Sequence, residues 1–370
     1  MGSRRSSLEG LVNKLIDTDF WRGKRVFITG HSGFKGSWLS IWLDKLGATV
    51  KGYSLDPPTN PNLFKVARVD SLVQSDFDDV RDLQKLQRSV VEFSPDIVIH
   101  LAAQPLVRDS YRDPLKTFSV NIMGTANLLE AVRNAGTVRV VVNITTDKVY
   151  ANKDWHWGYR EIDQLGGLDP YSSSKSCAEL ITSCYGRSFF EDNIGLGTAR
   201  AGNVIGGGDW ASERLIPDLI RSSLSGNRVN IRNPRATRPW QHVLVPLSGY
   251  LLLAQQLFSD AQTYSGEWNF GPLESDARSV SWVVEYLGRT LPETSWVFSE
   301  VVDEFKETDR LQLDISKARA ALGWMPFWRI EDAIEQTVRW YKAWSCNVDM
   351  LNFTRNQIEE YMEHIDEFGH

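Results

Sequence analysis

The chain has 370 residues, 42% of them apolar and 24% charged, and carries a formal net charge of −6. That balance fits an ordinary globular protein with room for a large core and two lobes. It gives no basic face to nucleic acid and no apolar run long enough to be a membrane span.

The three cysteines, Cys177, Cys184 and Cys346, make no CxxC pair, and an odd number argues against a disulfide framework. The six histidines lack metal-ligand spacing, so no metal is expected. With no export signal legible, the predicted compartment is the cytoplasm. Most of the fourteen tryptophans are expected to be core residues.

Met1 to Ser7 is polar and reads as a frayed end. Arg25–Thr29 is a short strand that runs directly into Gly30-His31-Ser32-Gly33-Phe34-Lys35-Gly36. Helical periodicity then holds from Ser37 to Leu46 and stops at Gly47. Strand, glycine loop and helix in that order is the context of a dinucleotide site. Gly30 permits the tight turn, Gly33 admits a pyrophosphate to the backbone, and Gly36 lets helix pack on strand. The helix N-terminus then faces the phosphates with its free N–H groups.

A second strand spans Ala48–Ser54. An acidic residue usually closes this strand in NAD sites; Ser54 stands there, with Asp56 two residues on and no arginine to attract a 2′-phosphate. NAD is therefore expected rather than NADP. Leu72–Ser75 is predicted as a third strand, Leu83–Phe93 as a helix and Asp96–Leu101 as a fourth strand. Ala102, Ala103 and Gln104 follow, and 114–134 reads as mostly helical. Val140–Ile144 is an apolar, β-branched run typical of a buried parallel strand. Five alternations of strand and helix in 150 residues predict a doubly wound, Rossmann-type parallel α/β sheet.

Thr146, Asp147 and Lys148 follow the fifth strand, where ligands sit in such sheets. In Tyr171-Ser172-Ser173-Ser174-Lys175 the tyrosine and lysine are four apart and share a helix face. An adjacent cation favours the phenolate, which predicts a lowered Tyr171 pKa and a base for a sugar hydroxyl. Cys177, Leu180, Ile181 and Cys184 continue that helix along an apolar side, and both cysteines are expected in the core. A sixth strand opens at Gly197, and the glycine-rich Ala201–Trp210 reads as a loop. The cations Arg214, Arg221, Arg228, Arg232, Arg235 and Arg238 suit a diphosphate carrying a base. Trp268–Pro272 reads as a break, and helices are predicted at 280–287, 318–322 and 330–344. Residues 20–200, with a returning segment near 240–270, are expected to form the cofactor domain; 201–239 and 271–350 would form a smaller mixed C-terminal substrate lobe.

These motifs make the chain similar to the extended short-chain dehydrogenases/reductases of the nucleotide-sugar branch, from about Phe20 to Trp344. The His31/Lys35 variant of the glycine loop, the Asp147–Lys148 pair and Arg238-Pro239-Trp240-Gln241-His242-Val243 most resemble the CDP-glucose 4,6-dehydratases within it. The resemblance implies NAD as cofactor, lined by Gly30, His31, Gly33, Phe34, Lys35, Gly36, Asp79, Val80, Ala102 and Gln104 as well as Tyr171 and Lys175. It implies CDP-glucose as substrate, held by Asn203, Arg214, Leu215 and Arg238. Tyr171 would deprotonate the sugar's 4-hydroxyl as hydride leaves carbon 4, helped by Thr146 and Lys175. Lys148 would take the proton from carbon 5, and Asp147 would protonate the departing 6-hydroxyl. Relatives acting on dTDP-glucose carry Asp-Glu at this pair. The resemblance also implies a homodimer built on the helices after Pro114 and around Tyr171, and a product destined for the dideoxy sugars of surface polysaccharides such as O-antigen. The family's His-Pro-His-Glu-Ala stretch is absent before Leu311, where 303–310 reads differently.

Three other readings share parts of this pattern, the first being an NAD-dependent 4,6-dehydratase for another nucleotide sugar. A 4-epimerase needs Tyr171 and Lys175 but not the Asp147–Lys148 pair. A non-catalytic dinucleotide-binding regulator needs neither, and such proteins usually lose the tyrosine or the lysine.

Overall fold

The computed structural model describes residues 15–190, 194–298 and 311–368. The predicted frayed end at Met1–Ser7 and the divergent stretch 303–310 lie outside them. The strands of the main sheet are β1 (Arg25–Thr29), β2 (Thr49–Ser54), β3 (Gln74–Phe77), β4 (Ile97–His100), β5 (Val140–Ile144), β6 (Gly195–Arg200) and β7 (Gly266–Asn269). They are parallel and lie in the order β7-β6-β5-β4-β1-β2-β3. The order reverses between β1 and β4, so a crevice opens there at the carboxyl ends of the strands. β4, β5 and β6 are buried along their whole length, as strands covered on both faces must be.

One face is covered by helices Leu83–Phe93 and Gly124–Ala135, whose Leu86, Val90, Leu128, Leu129 and Val132 pack on Phe27, Val98 and Val141. The other is covered by Phe34–Lys45 and Leu244–Ser259. Two differences from the sequence-based expectations concern strands. The third strand lies at Gln74–Phe77, two residues later than predicted, because its polar residues hide it from a hydrophobicity reading. Trp268 and Asn269 do not break the chain; they end β7, which pairs with β6. The proline at 272 ends the strand rather than preventing it.

The helix Phe34–Lys45 is buried continuously from Gly36 to Leu43. A helix apolar all round needs a second cover, and the C-terminal helix Met350–Phe368 supplies it, with Trp42 edge-on to Tyr361 and Arg355 bonded to Asp44. Helix Ile330–Ser345 lies beside it, where the Trp340 indole donates to Thr354. Trp21, Trp38, Trp42, Trp268, Trp324 and Trp340 are fully buried, as core residues.

Three histidines are buried as neutral imidazoles. Burial pushes His31 down to about 4, and His100 and His242 down to about 3. Their folded values lie below the ordinary value near 6.5, so the unfolded chain binds more protons between the two. Their contribution is therefore complete above about pH 6.5 and is lost as pH falls toward 4 and 3. The melting temperature is expected to fall by on the order of 10 °C between pH 7 and 4.5. His31→Gln should flatten that fall, measured by calorimetry at several pH values; an equal fall in the variant would remove His31 from the account.

Candidate active site

The glycine loop leaves β1 at Gly30, whose φ is +78°. A Cβ on Gly30 would sit 2.7 Å from the Ala102 nitrogen, and one on Gly36 would sit 2.2 Å from the Gly30 carbonyl oxygen. Both glycines are thus demanded by the chain's own packing. Gly33 is different: its φ is −78°, and its nearest contact would be an ordinary 3.4 Å. Nothing in the fold requires glycine there, so its bareness suits a group approaching from outside. Gly33 is also the N-cap of Phe34–Lys45 and provides no side-chain cap. The first-turn N–H groups therefore remain open to an anion.

His31 does not face that approach. Its ring lies beneath the loop over Gly52, between the Ser75 hydroxyl at 2.9 Å and the Ser54 hydroxyl at 3.1 Å. Its bulk is absorbed by β2 rather than presented to a pyrophosphate. Lys35 is half-buried and lies in the field of the catalytic candidates. Burial lowers it to about 8, Arg214 and Lys175 push the same way, and Asp147 opposes them. Ala102 follows β4 and donates its N–H to Thr29 at 3.2 Å. Gln104 turns its amide back onto Leu106 and Thr117. Asp79 chelates the Arg81 guanidinium, and Val80 packs against Gly124.

Thr146 leaves β5 and caps a single 3₁₀ turn, Asp147–Val149. Its hydroxyl donates to Asp147 Oδ1 at 2.9 Å. Asp147 Oδ2 accepts from Asn203 Nδ2 at 3.4 Å, and a Cβ on Gly202 would lie 2.0 Å from the same oxygen. The carboxyl is therefore walled in by the loop after β6. Lys148 is half-buried next to it.

Helix Pro170–Tyr185 is capped by Asp169 and starts with proline at its first turn, a strong start signal. It buries Tyr171, Ser174, Lys175, Glu179 and Thr182. Lys175 Nζ donates to the Ile144 carbonyl at 3.0 Å. Burial lowers its ammonium to about 8, while Glu179 pulls it up. The predicted lowering of Tyr171 is overturned in this cleft: its phenol is pushed up to about 12. Burial is the largest cause; the Thr146 hydroxyl and Arg214 pull down, and Asp147 pushes up. The two cysteines of this helix are likewise not core, although Ile181 on the same side packs against it. Leu180 is 59% exposed, Cys184 is exposed and Cys177 only half-buried, because the polar side faces the sheet.

On the substrate side, Arg214 Nη1 pairs with Asp209 at 2.9 Å, and its charge reaches both Tyr171 and Lys35. Leu215 begins helix Leu215–Ser225, and Arg238 is mostly buried on a short strand that pairs with Ala277–Ser279. The predicted arginine cluster disperses: Arg221 turns to Asp218 and the Trp210 carbonyl, and Arg228 to Ser295. The Ala201–Trp210 loop contains one short pairing, Val204–Ile205 with Gln241–His242.

This constellation agrees with comparisons to known proteins. Residues 27–337 match the model of the GDP-mannose 4,6 dehydratase family. The chain belongs to that family. It is 50% identical over 355 residues to the CDP-glucose 4,6-dehydratase of Salmonella typhimurium, covering 94% of this chain and 99% of the relative. It is 26% identical to the dTDP-glucose 4,6-dehydratase of Haemophilus influenzae, over 85% of this chain and 97% of that one. Among solved structures, the dTDP-glucose 4,6-dehydratase of Streptomyces venezuelae with NAD bound superimposes with a TM-score of 0.75 at 25% identity, covering 89% of this chain and all (100%) of that one. The UDP-glucose 4-epimerase of Thermus thermophilus in complex with NAD gives 0.75 at 25% identity, over 86% and 99%. The chain is thus a family dehydratase with the fold of the extended short-chain dehydrogenases/reductases.

Two residues that brace the candidate site, Asn121 and Tyr341, escaped the sequence analysis. Asn121 sits in a π-turn within the helical stretch 114–135 and bridges the Gln104 backbone to Ser174; π-turns often mark functional positions. Tyr341, on helix Ile330–Ser345, donates to the Asp209 carbonyl and steadies the partner of Arg214. The glycine loop generates a paired expectation. Gly33→Ala should lower the melting temperature by no more than roughly 3 °C yet weaken NAD binding roughly tenfold, the scale of one lost contact to phosphate. Gly36→Ala should instead fail to fold or melt far lower. Titration calorimetry and thermal melts check both; unchanged NAD affinity in Gly33→Ala would refute the assigned role of the loop.

Proposed function

We propose that this chain is an NAD-dependent CDP-glucose 4,6-dehydratase, a hydro-lyase that converts CDP-glucose to CDP-4-keto-6-deoxyglucose. The carrying observation is the buried Asp147, held by Thr146, Gly202 and Asn203 and followed directly in the chain by Lys148. A 4-epimerase has no use for such a pair, whereas loss of water across carbons 5 and 6 needs both an acid and a base.

NAD held along the glycine loop supplies the acceptor and returning donor of hydride and, oxidised, a positive charge. Tyr171 takes the proton of the 4-hydroxyl, and Thr146 and Arg214 favour its ionised form. Lys175, fixed on the Ile144 carbonyl, adds a cation one helical turn away. Once carbon 4 is a ketone, the proton on carbon 5 is acidic. Lys148 removes it, and Asp147 passes a proton to the departing 6-hydroxyl. Asn203, Arg214, Leu215 and Arg238 hold the nucleotide sugar, with Arg214 on the diphosphate.

On this reading, residues 20–200 with 240–270 carry the cofactor, and 201–239 with 271–350 enclose the substrate. The protein works as a cytoplasmic homodimer. Leu115, Met123 and Leu180 are 79%, 53% and 59% exposed on the two helical stretches that would pair, which supports that assembly. The product feeds the dideoxy sugars of surface polysaccharides, O-antigen among them.

The direct test incubates the protein and NAD with CDP-, UDP-, dTDP- and GDP-glucose separately and weighs the products. CDP-glucose should lose water fastest; a product from another sugar nucleotide alone would overturn the base assignment. Tyr171→Phe should cut turnover by roughly 100-fold or more, the scale of a lost general base, with NAD binding nearly unchanged. Lys148→Met keeps most of the stem's volume. It should accumulate NADH and 4-keto-glucose without exchange of the carbon 5 hydrogen in deuterated water; exchange at the parent rate would exclude Lys148 as the base. Because Lys35 is bulkier than the small or apolar residues common in tight NAD loops of the superfamily, NAD should be held loosely enough that added cofactor raises activity. Purified protein saturated with NAD and indifferent to more would contradict this.

A further inference from the structure

The turn that carries Asp147 and Lys148 is only three residues long. Its two flanks reach the same buried ion pair. On one side, the Thr145 hydroxyl donates to Glu179 Oε1 at 2.5 Å. On the other, the Tyr150 hydroxyl accepts from Arg200 Nη1 at 2.8 Å and donates to Asn269 at 2.7 Å. Glu179 and Arg200 meet through two parallel bonds of 2.9 Å, and their side chains are 2% and 1% exposed. Thr198 donates to Glu179 Oε2 at 2.7 Å.

Such a pair is poorly explained by stability. Desolvating two charges costs about as much as their attraction returns, and apolar replacements are often neutral or better. What it does here is geometric. Glu179 lies on the helix that carries Tyr171 and Lys175, one turn beyond the lysine. Arg200 is the last residue of β6, just before the Gly202–Asn203 loop that walls in Asp147. On the same helix, Ser176 donates to the Val149 carbonyl at 2.8 Å, a third tie to the turn.

We propose that the Glu179–Arg200 pair is a clamp for the acid/base turn, with Thr145 and Tyr150 as positioning residues. It holds Asp147 and Lys148 in register with the helix of Tyr171 and Lys175. The proposal rests on the reading of Asp147 and Lys148 as the elimination pair. It goes beyond that reading in naming what sets their geometry.

Because Tyr171 rides on its own helix and Lys175 is fixed on the Ile144 carbonyl at the end of β5, the first hydride transfer depends on the turn only through Thr146, and loosening the turn should slow elimination far more than that transfer. Tyr150→Phe and Thr145→Val each remove one hydroxyl, keep the shape and leave the ion pair intact; Arg200 Nη1 retains the Glu161 carbonyl at 3.1 Å. In single-turnover experiments with NAD and CDP-glucose, carbon 5 exchange and formation of 6-deoxy product should fall roughly tenfold in each variant, since small misplacements of catalytic groups cost at least that much. Formation of NADH should stay within about twofold of the parent. Amide hydrogen exchange at 147–150 should quicken in both variants, with unchanged protection in the body of the Tyr171 helix. Equal losses in both half-reactions, or no loss in elimination, would overturn the clamp. If the parent itself removes no water from CDP-glucose, the functional reading falls alone. Amide exchange then decides: quickening confined to the turn upholds the clamp, and unchanged exchange defeats it.

Discussion

Helix Pro170–Tyr185 turns its polar side inward, and much of the site follows from that. A buried hydroxyl, amine or carboxylate without a partner is costly, so each one must be met. Lys175 meets the Ile144 carbonyl, Ser174 the Tyr171 carbonyl and Asn121, Ser176 the Val149 carbonyl, and Thr182 meets Asn143. These partners lie at the end of β5, in the turn after it, and in the π-turn of the neighbouring helix. Satisfying the polar side of one helix therefore fixes strand end, turn and loop relative to each other. The exposed apolar side is the complement of the same choice, which is why Cys184 and Leu180 face outward.

The cofactor side is governed by a different economy. Helix Phe34–Lys45 is enclosed by the sheet and by Met350–Phe368, so the glycine loop at its head cannot shift without disturbing the core. Trp38 on this helix donates to the Gly207 carbonyl at 2.9 Å. Trp340 lies where a side chain on Gly207 would be, 2.0 Å from the ideal Cβ position. The loop that carries Asn203 and Asp209 is thus held between the helix behind the glycine loop and the C-terminal helices. Cofactor-facing and substrate-facing backbone are braced by the same aromatic packing.

What could be read from the sequence was what local spacing encodes. The Gly30–Gly36 triplet after a strand, the Tyr171–Lys175 separation and the residues following an apolar β-branched run each sit within a few positions of one another. β3 was misplaced because Gln74, Ser75 and Asp76 carry no apolar signal, and β7 because Trp268-Asn269 precedes a glycine and a proline. The contacts of Gly202 with Asp147, of Arg200 with Glu179 and Tyr150, and of Tyr341 with Asp209 join residues 21 to 132 positions apart. No periodicity announces such pairs. A different long-range contact left a trace: Trp38, Leu39, Ile41, Trp42 and Leu43 leave their helix without a broad polar face, which calls for a covering element that 350–368 supplies.

The charge states carry the last step. Burial raises Tyr171 and lowers Lys35 and Lys175, so in this cleft each group is driven toward its neutral form. A neutral phenol is no base, and a neutral lysine offers no cation to phosphate. The order of events is therefore constrained by electrostatics. On the proposed reading, a diphosphate beside Arg214 and Lys35 would favour the charged form of Lys35, because an anion beside an amine raises its affinity for a proton. An added positive charge near Tyr171 does the reverse for the phenol. Tyr171 is ionised at least cost only when cationic groups around it outweigh Asp147, whose negative charge pushes it up. The groups that pull the phenol down are Thr146 and Arg214, so the field that eases ionisation of Tyr171 is set by the turn after β5 and by the N-terminus of helix Leu215–Ser225.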